Sequence, residues 1–167
     1  GYPANGGGGA VKLTVGGTLT VSSGASISAN GGQAYLSAVN MGGGSGGSVY
    51  LITGTLSGSG TISANGGGGG GSPIAGSGGG GRIALYYTKN SSTVSFSATS
   101  GTGNAVATAT AAAGTIYYES TGGVKSVTID NGNYDHNWKY ATLPINLTID
   151  SLTISQKGSL KINTTGI

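Results

Sequence analysis

Apolar residues recur at every second position along much of the chain. Val11, Leu13 and Val15 are followed by Leu19 and Val21 and then Ile27; Val49 and Leu51 are followed by Leu56 and then Ile62. A period of two sends alternate side chains to opposite faces of an extended backbone, so each run predicts a short β-strand with one buried face. No run carries the 3.6-residue stripe of an amphipathic helix. The alanine-rich stretch from Ala105 to Ala113 is broken by Thr108 and Thr110 at strand-like spacing, and helix is expected to be negligible. The alternation continues through Val124–Asp130, Leu143–Ile149, Leu152–Ile154 and Leu160–Ile162 with ordinary polar partners. The predicted interior is Val11, Leu13, Val15, Leu19, Val21, Ile27, Val49, Leu51, Leu56, Ile62, Ile83, Leu85, Val94, Phe96, Ile116, Tyr118, Val127, Ile129, Leu147, Ile149, Leu152, Ile154, Leu160 and Ile162.

The strands repeat as phrases. Ser-Ile-Ser-Ala-Asn-Gly-Gly from Ser26 returns as Thr-Ile-Ser-Ala-Asn-Gly-Gly from Thr61, and Ala4-Asn5-Gly6-Gly7 reads as the tail of an earlier copy. Each unit opens with a phrase of one kind, starting at Val11, Val49, Ile83 and Ile116, which are 38, 34 and 33 residues apart. A phrase returning at a nearly constant period predicts stacked repeats; a sandwich of hairpins would not need its strands to be alike. The expectation is an all-β parallel β-helix (β-solenoid) in one domain over residues 1–167. It would have three short strands to a coil, long glycine-rich coils over 10–123 and short-coil rungs over 124–167. Glycine-rich excursions over 31–47, 66–81 and 101–114 leave equivalent positions and are expected to stack on one side. Their paired legs can lie as polyglycine II helices or serve as linkers. The aromatics of residues 131–140, Tyr134, His136, Trp138 and Tyr140, are expected to plug the stack. The last strand-like phrase is followed by no polar cap, which predicts a fragment or an end covered by another subunit.

Composition narrows the chemistry. Of 167 residues 37 are glycine, against a usual share of about 7%, and only 7% are charged. The glycines come in runs and prolines number 3, which excludes collagen. No stretch approaches the roughly 20 apolar residues of a membrane-spanning helix. The 7 basic residues stand singly, so no phosphate-tracking patch forms and nucleic acid is not an expected partner. There is no cysteine, hence no disulfide framework or thiolate metal site. The acids are Glu119, Asp130, Asp135 and Asp150, and the one histidine is His136. Asp135-His136 is the sole acid–base neighbour pair, and adjacent residues on an extended segment point apart. Gly76–Arg82 opens a strand rather than a helix, which removes the dipole a phosphate cradle needs. No catalytic residue, cofactor or metal is expected.

Two segments, Gly-Ser-Val-Tyr-Leu-Ile-Thr-Gly-Thr-Leu-Ser-Gly-Ser-Gly-Thr-Ile-Ser-Ala-Asn-Gly-Gly (Gly47 to Gly67) and Gly-Gly-Gly-Arg-Ile-Ala-Leu-Tyr-Tyr (Gly79 to Tyr87), resemble the glycine-rich repeats of microbial secreted and cell-surface proteins. Those are similar to the pectin-lyase-like right-handed parallel β-helix group. The resemblance covers roughly Val11 to Tyr118 and implies a secreted or cell-surface location and a structural or adhesive character; the catalytic cluster of the enzymes in that group has no counterpart here. Three functions stay open. One is an extracellular structural or adhesive protein, self-associating as a filament subunit. Another is an adhesin module binding carbohydrate or a receptor through the loop tips Gln33, Tyr35, Leu36, Asn40 and Met41 and through outward tyrosines. The third is ice binding by a Thr/Ser array of Thr18, Thr20, Thr55, Ser57, Thr61 and Ser63. Tyr50, Tyr86 and Tyr117 fall on the non-core parity of three successive units and are expected to form an outward aromatic column beside Ile52.

Overall fold

A computed structural model of the chain describes residues 5–34, 41–70, 75–102, 111–134, 139–144 and 146–161. Its regular elements are all strands: β1 (Ala10–Val21), β2 (Ser26–Ser28), β3 (Ser48–Gly58), β4 (Thr61–Ser63), β5 (Arg82–Asn90), β6 (Ser95–Ser97), β7 (Thr115–Ser120), β8 (Lys125–Asp130), β9 (Ala141–Thr142), β10 (Ser151–Ser155) and β11 (Leu160–Lys161). Six of them make one mixed sheet in the order β1-β3-β5-β7-β8-β10; β2-β4-β6 and β11-β9 are small separate sheets.

The phrase spacing sets the register. Val11 pairs with Val49, Val49 with Ile83 and Ile83 with Ile116 along the large sheet, while Ile27 pairs with Ile62 and Ile62 with Phe96 in the three-stranded one. The two phrases read as separate first and second strands are one long strand in β1 and β3. Gly16 and Gly17 fall where the register shifts between Val15 and Thr18.

A parallel β-helix of three-stranded coils through residues 1–167 is not the observed architecture. Each repeat contributes to two ladders rather than three, and β7 pairs antiparallel with β8. The reason lies in the connection. Only Thr121, Gly122, Gly123 and Val124 separate these strands, whereas a parallel crossover needs about a dozen residues or more. The turn closes with Gly123 N donating to Ser120 O (2.8 Å) and with Gly123 at φ +84°, a conformation that favours glycine. Beyond it the chain builds parallel pairs of its own, β8 with β10 and β9 with β11.

This reversal gives the large sheet two cores. Val49, Leu51, Leu56, Ile62, Ile83, Leu85 and Ile116 fill the space beneath the three-stranded sheet, sealed by Ala29, Ala64 and Ala98. Val127 and Ile129 form the second core with Ala113 and Ala141, and Tyr117, Leu143, Leu147, Ile149 and Leu160 pack against it. Tyr117 follows Ile116 directly and so points to the opposite face. The second core therefore continues the outer face of the repeats. Three residues predicted to be interior, Leu13, Leu152 and Ile154, are exposed because they sit on β1 and β10, the two edge strands. Ile162 lies outside the described residues.

The remaining side of the repeats is largely glycine, with Ala111, Ala112 and Ala113 in the last returning leg. Legs that leave the small sheet alternate with legs that return to the large one, bonded amide to carbonyl: Gly32 N to Gly6 O, Gly44 N to Gly32 O, Gly67 N to Gly44 O, Gly78 N to Gly67 O and Gly101 N to Gly78 O, all 2.8–2.9 Å. A Cβ at Gly44, Gly67, Gly78 or Gly101 would overlap a carbonyl oxygen of the adjoining leg. Gly8, Gly46 and Gly80 are equivalents, each pressed on the carbonyl of Ala29, Ala64 or Ala98. Residues 5–9 are thus a returning leg, not the tail of an outgoing phrase. Asparagines tie the outgoing legs: Asn30 Oδ1 accepts from Asn65 N (2.7 Å), and Asn65 Oδ1 accepts from Thr99 N (2.9 Å) and Ser97 Oγ (2.7 Å).

Two neighbouring substitutions test this packing. Gly80→Ala drives a methyl into the Ala98 carbonyl and the Gly114 amide and should cost about 3 kcal/mol, the upper end for overpacking. At Gly79 a methyl meets nothing closer than 3.6 Å, so Gly79→Ala should stay within about 0.5 kcal/mol of the parent. Urea denaturation measures both; equal costs would mean that the legs are not packed at this distance.

Candidate functional site

The outer face of the repeats is where unusual side chains gather. Cross-strand register puts Lys12, Tyr50, Ala84 and Tyr117 in one row and Thr14, Ile52, Tyr86 and Glu119 in the next. Ala84 leaves a gap between Tyr50 and Tyr117, and the Tyr86 ring occupies it from the adjoining row. Its centroid is 5.1 Å from that of Tyr50, with the planes tilted 40°, and 5.8 Å from that of Tyr117, tilted 56°. Both spacings fall within the range of about 4.5–7 Å for stabilising aromatic pairs. Lys12 Nζ stands 5.7 Å from the Tyr50 centroid, a cation on the ring face. The predicted tyrosine column is therefore assembled as a zigzag, not a straight line.

Its two ends differ. Tyr50 is 36% exposed and Ile52 37%, and among the described residues nothing covers this end. Tyr117 is half-buried against the second core, and its hydroxyl donates to Glu119 Oε2 at 2.7 Å. Burial, then the bonded and negatively charged Glu119, pushes the Tyr117 phenol well above its usual value. Burial first, and the neighbouring Tyr50 second, raises Tyr86 as well. Between Tyr86 and Tyr117 on the sheet and Leu143, Pro144 and Leu147 of the returning chain runs an open groove of about 690 Å³, with Arg82, Thr115 and Thr142 supplying polar groups along it.

The other sequence-based candidates fare unevenly. Tyr35, Leu36 and Asn40 lie outside the described residues, as do Asp135, His136 and Trp138. Gln33 is exposed, whereas Met41 is half-buried and its carbonyl accepts from Gly70 N at 2.9 Å, docking that leg on the next excursion. The Thr/Ser array is split between two sheets: on the large one it spans only β1 and β3, while Thr61 lies on the small one between Ser26 and Ser95. Thr18 pairs with Thr55, and the hydroxyls of Thr20 and Ser57 are 2.7 Å apart, but Lys89 and Asn90 follow on β5, and Ser63 is buried. Tyr134 and Tyr140 do not plug the repeats; both are exposed, and the buried residue there is Asn131, whose Oδ1 accepts from Ser100 N (2.9 Å).

The described acids are each engaged locally. Asp130 accepts from Gly132 N and Ser155 Oγ, Asp150 accepts from Lys125 N, and Glu119 accepts from Tyr117, all at 2.7 Å. Among the described residues no three of His, Cys, Asp and Glu come together as a metal site, and no helix is long and apolar enough to cross a membrane. Arg82 and Glu119 share the parity of the tyrosines and could have been placed on this face from the alternation. Leu143, Pro144 and Leu147 could not, because only the reversed chain brings them there. No protein-family model, curated protein or solved structure matches this chain.

The buried phenols predict an alkaline limit. Burial first, and Tyr87 second, pushes Tyr118 up from 10.0 to about 12. A phenol whose folded pKa lies above its unfolded value contributes stability that is complete below the unfolded pKa and lost as pH rises through the folded one. Urea midpoints should hold up to about pH 10 and fall between pH 10 and 12, and Tyr118→Phe should flatten that fall. A midpoint indifferent to pH across this window would show the tyrosines to be solvated.

Proposed function

We propose that this chain works without an active site, as an extracellular structural or adhesive protein that binds its partner through the tyrosine face. The observation that carries this reading is the row of Tyr50, Tyr86 and Tyr117 with Ile52, packed ring on ring yet open to solvent at the Tyr50 end. Aromatic rings left open to solvent in this way offer an apolar surface that a partner can cover. Three further features support it: the local engagement of the described acids, a charged fraction of 7%, and the lack of any cysteine to be oxidised outside a cell. The partner in this reading is a second copy of the chain. A surface glycan is the second reading, favoured by the groove, where two phenol rings, the Arg82 guanidinium and the Thr115 hydroxyl could meet a sugar.

Replacing Tyr50, Tyr86 and Tyr117 together by Ser separates the two. Sedimentation that falls to monomer while far-UV circular dichroism is unchanged assigns the face to self-association; loss of binding on a glycan array assigns it to a saccharide. A parent protein that neither associates nor binds glycan would overturn both readings. So would a polysaccharide-cleaving activity abolished by Asp130→Asn.

A further inference from the structure

We propose that Tyr50 and Tyr86 are a site of oxidative cross-linking, where a dityrosine bond staples β3 to β5. Their rings face each other across adjacent strands at 5.1 Å, near the short end of the aromatic-pair range of about 4.5–7 Å. Their planes are tilted 40° from parallel. Tyr50 is 36% exposed, so an oxidant can reach it. The partner choice follows from the surroundings. Tyr117 is the poorer partner for Tyr86, being farther away at 5.8 Å, more steeply tilted, and held by its bond to Glu119. Tyr140 accepts a hydrogen bond from Lys161 Nζ (2.9 Å), and the same ammonium lies 4.8 Å from its ring centroid. Among the described residues no ring contact joins Tyr134 or Tyr140 to another tyrosine.

The chemistry needs a haem peroxidase with hydrogen peroxide as the oxidant. Each phenol gives one electron to the oxidant and its hydroxyl proton to water, leaving two phenoxyl radicals. One carbon–carbon bond forms between the positions ortho to the two oxygens. Each of these carbons then returns its hydrogen, as a proton through water, to the oxygen of its own ring, restoring both phenols. The two electrons and two protons reduce one peroxide to two waters, and the protein loses two hydrogen atoms. The bond would close a long loop of backbone between two strands of a chain that has no cysteine, restraining the unfolded chain as a disulfide does. The proposal does not depend on what the tyrosine face binds.

Treating the purified chain with peroxidase and peroxide should give dityrosine fluorescence in the monomer fraction, and peptide mapping should find Tyr50 joined to Tyr86 with the loss of two hydrogens. The cross-linked monomer should melt at a higher Tm than the untreated protein. Tyr86→Phe and Tyr50→Phe should each abolish this product, whereas Tyr140→Phe should leave its yield unchanged. Two outcomes would overturn the proposal: cross-links confined to dimers or to other tyrosines, or an intramolecular yield that survives both single Phe substitutions in folded protein.

Discussion

Backbone touching backbone is the constraint on which the repeats depend. One side of the repeats is a stack of glycine-rich legs so close to their neighbours that a β-carbon would collide with a carbonyl oxygen at position after position, among them Gly44, Gly67, Gly78 and Gly101. The closeness lets one leg's amide reach the next leg's carbonyl, satisfying buried polar groups that lie outside either sheet. Glycine loses more conformational freedom on folding than any other residue, and the amide bonds, the asparagine links and the small core of Val, Leu and Ile residues offset that loss. The same constraint explains why so few charges are present. A wall made of bare backbone leaves few positions on which a side chain can be carried.

The short turn after β7 is the second determinant, because it moves the hydrophobic core from one face of the sheet to the other. Up to Ile116 the inner face is sealed by the three-stranded sheet and the alanines beneath it. Past the turn, Val127 and Ile129 of β8 collect Leu143, Leu147 and Leu160 on the opposite side. Tyr117 lies at the junction. It is an outward residue by its strand and a core residue by its packing, and the row running from it to Tyr50 passes from covered to open within three strands. Asn131, buried where the reversed chain meets the last outgoing leg, supplies the acceptor for Ser100 N that a further repeat would otherwise provide.

Placement gives the tyrosine face its chemistry more than residue type does. Alternation across the strands would have set three rings in a column only if every repeat carried tyrosine at the same position. Here Ala84 stands at that position in the middle unit, and Tyr86 fills the space diagonally, which brings tilted rings from different rows into contact. Lys12 at one end and Glu119 at the other are polar boundaries on an otherwise apolar strip. The groove beside Tyr117 exists because the returning chain stands off from the sheet rather than lying flat on it.

Local pattern determined a good deal of this protein. The period of two marked the strands, the return of Val-x-Leu and Ser-Ile-Ser-Ala-Asn-Gly-Gly set which residues pair across them, and parity placed Tyr50, Ile52, Tyr86 and Tyr117 on the outer face. These follow from the chain alone because strand alternation and repeat register are short-range and self-consistent. Strand direction was not legible in the alternation, since a strand reads the same whichever way it runs; the four residues between β7 and β8 decided it, and with it the mixed sheet and the second core. Nor could the alternation tell that Leu13, Leu152 and Ile154 would be exposed, because burial depends on what lies beyond an edge strand. Contact with Leu143, Pro144 and Leu147 was likewise a tertiary outcome: those residues approach Tyr117 only after the chain has reversed, and no spacing along the sequence encodes that approach.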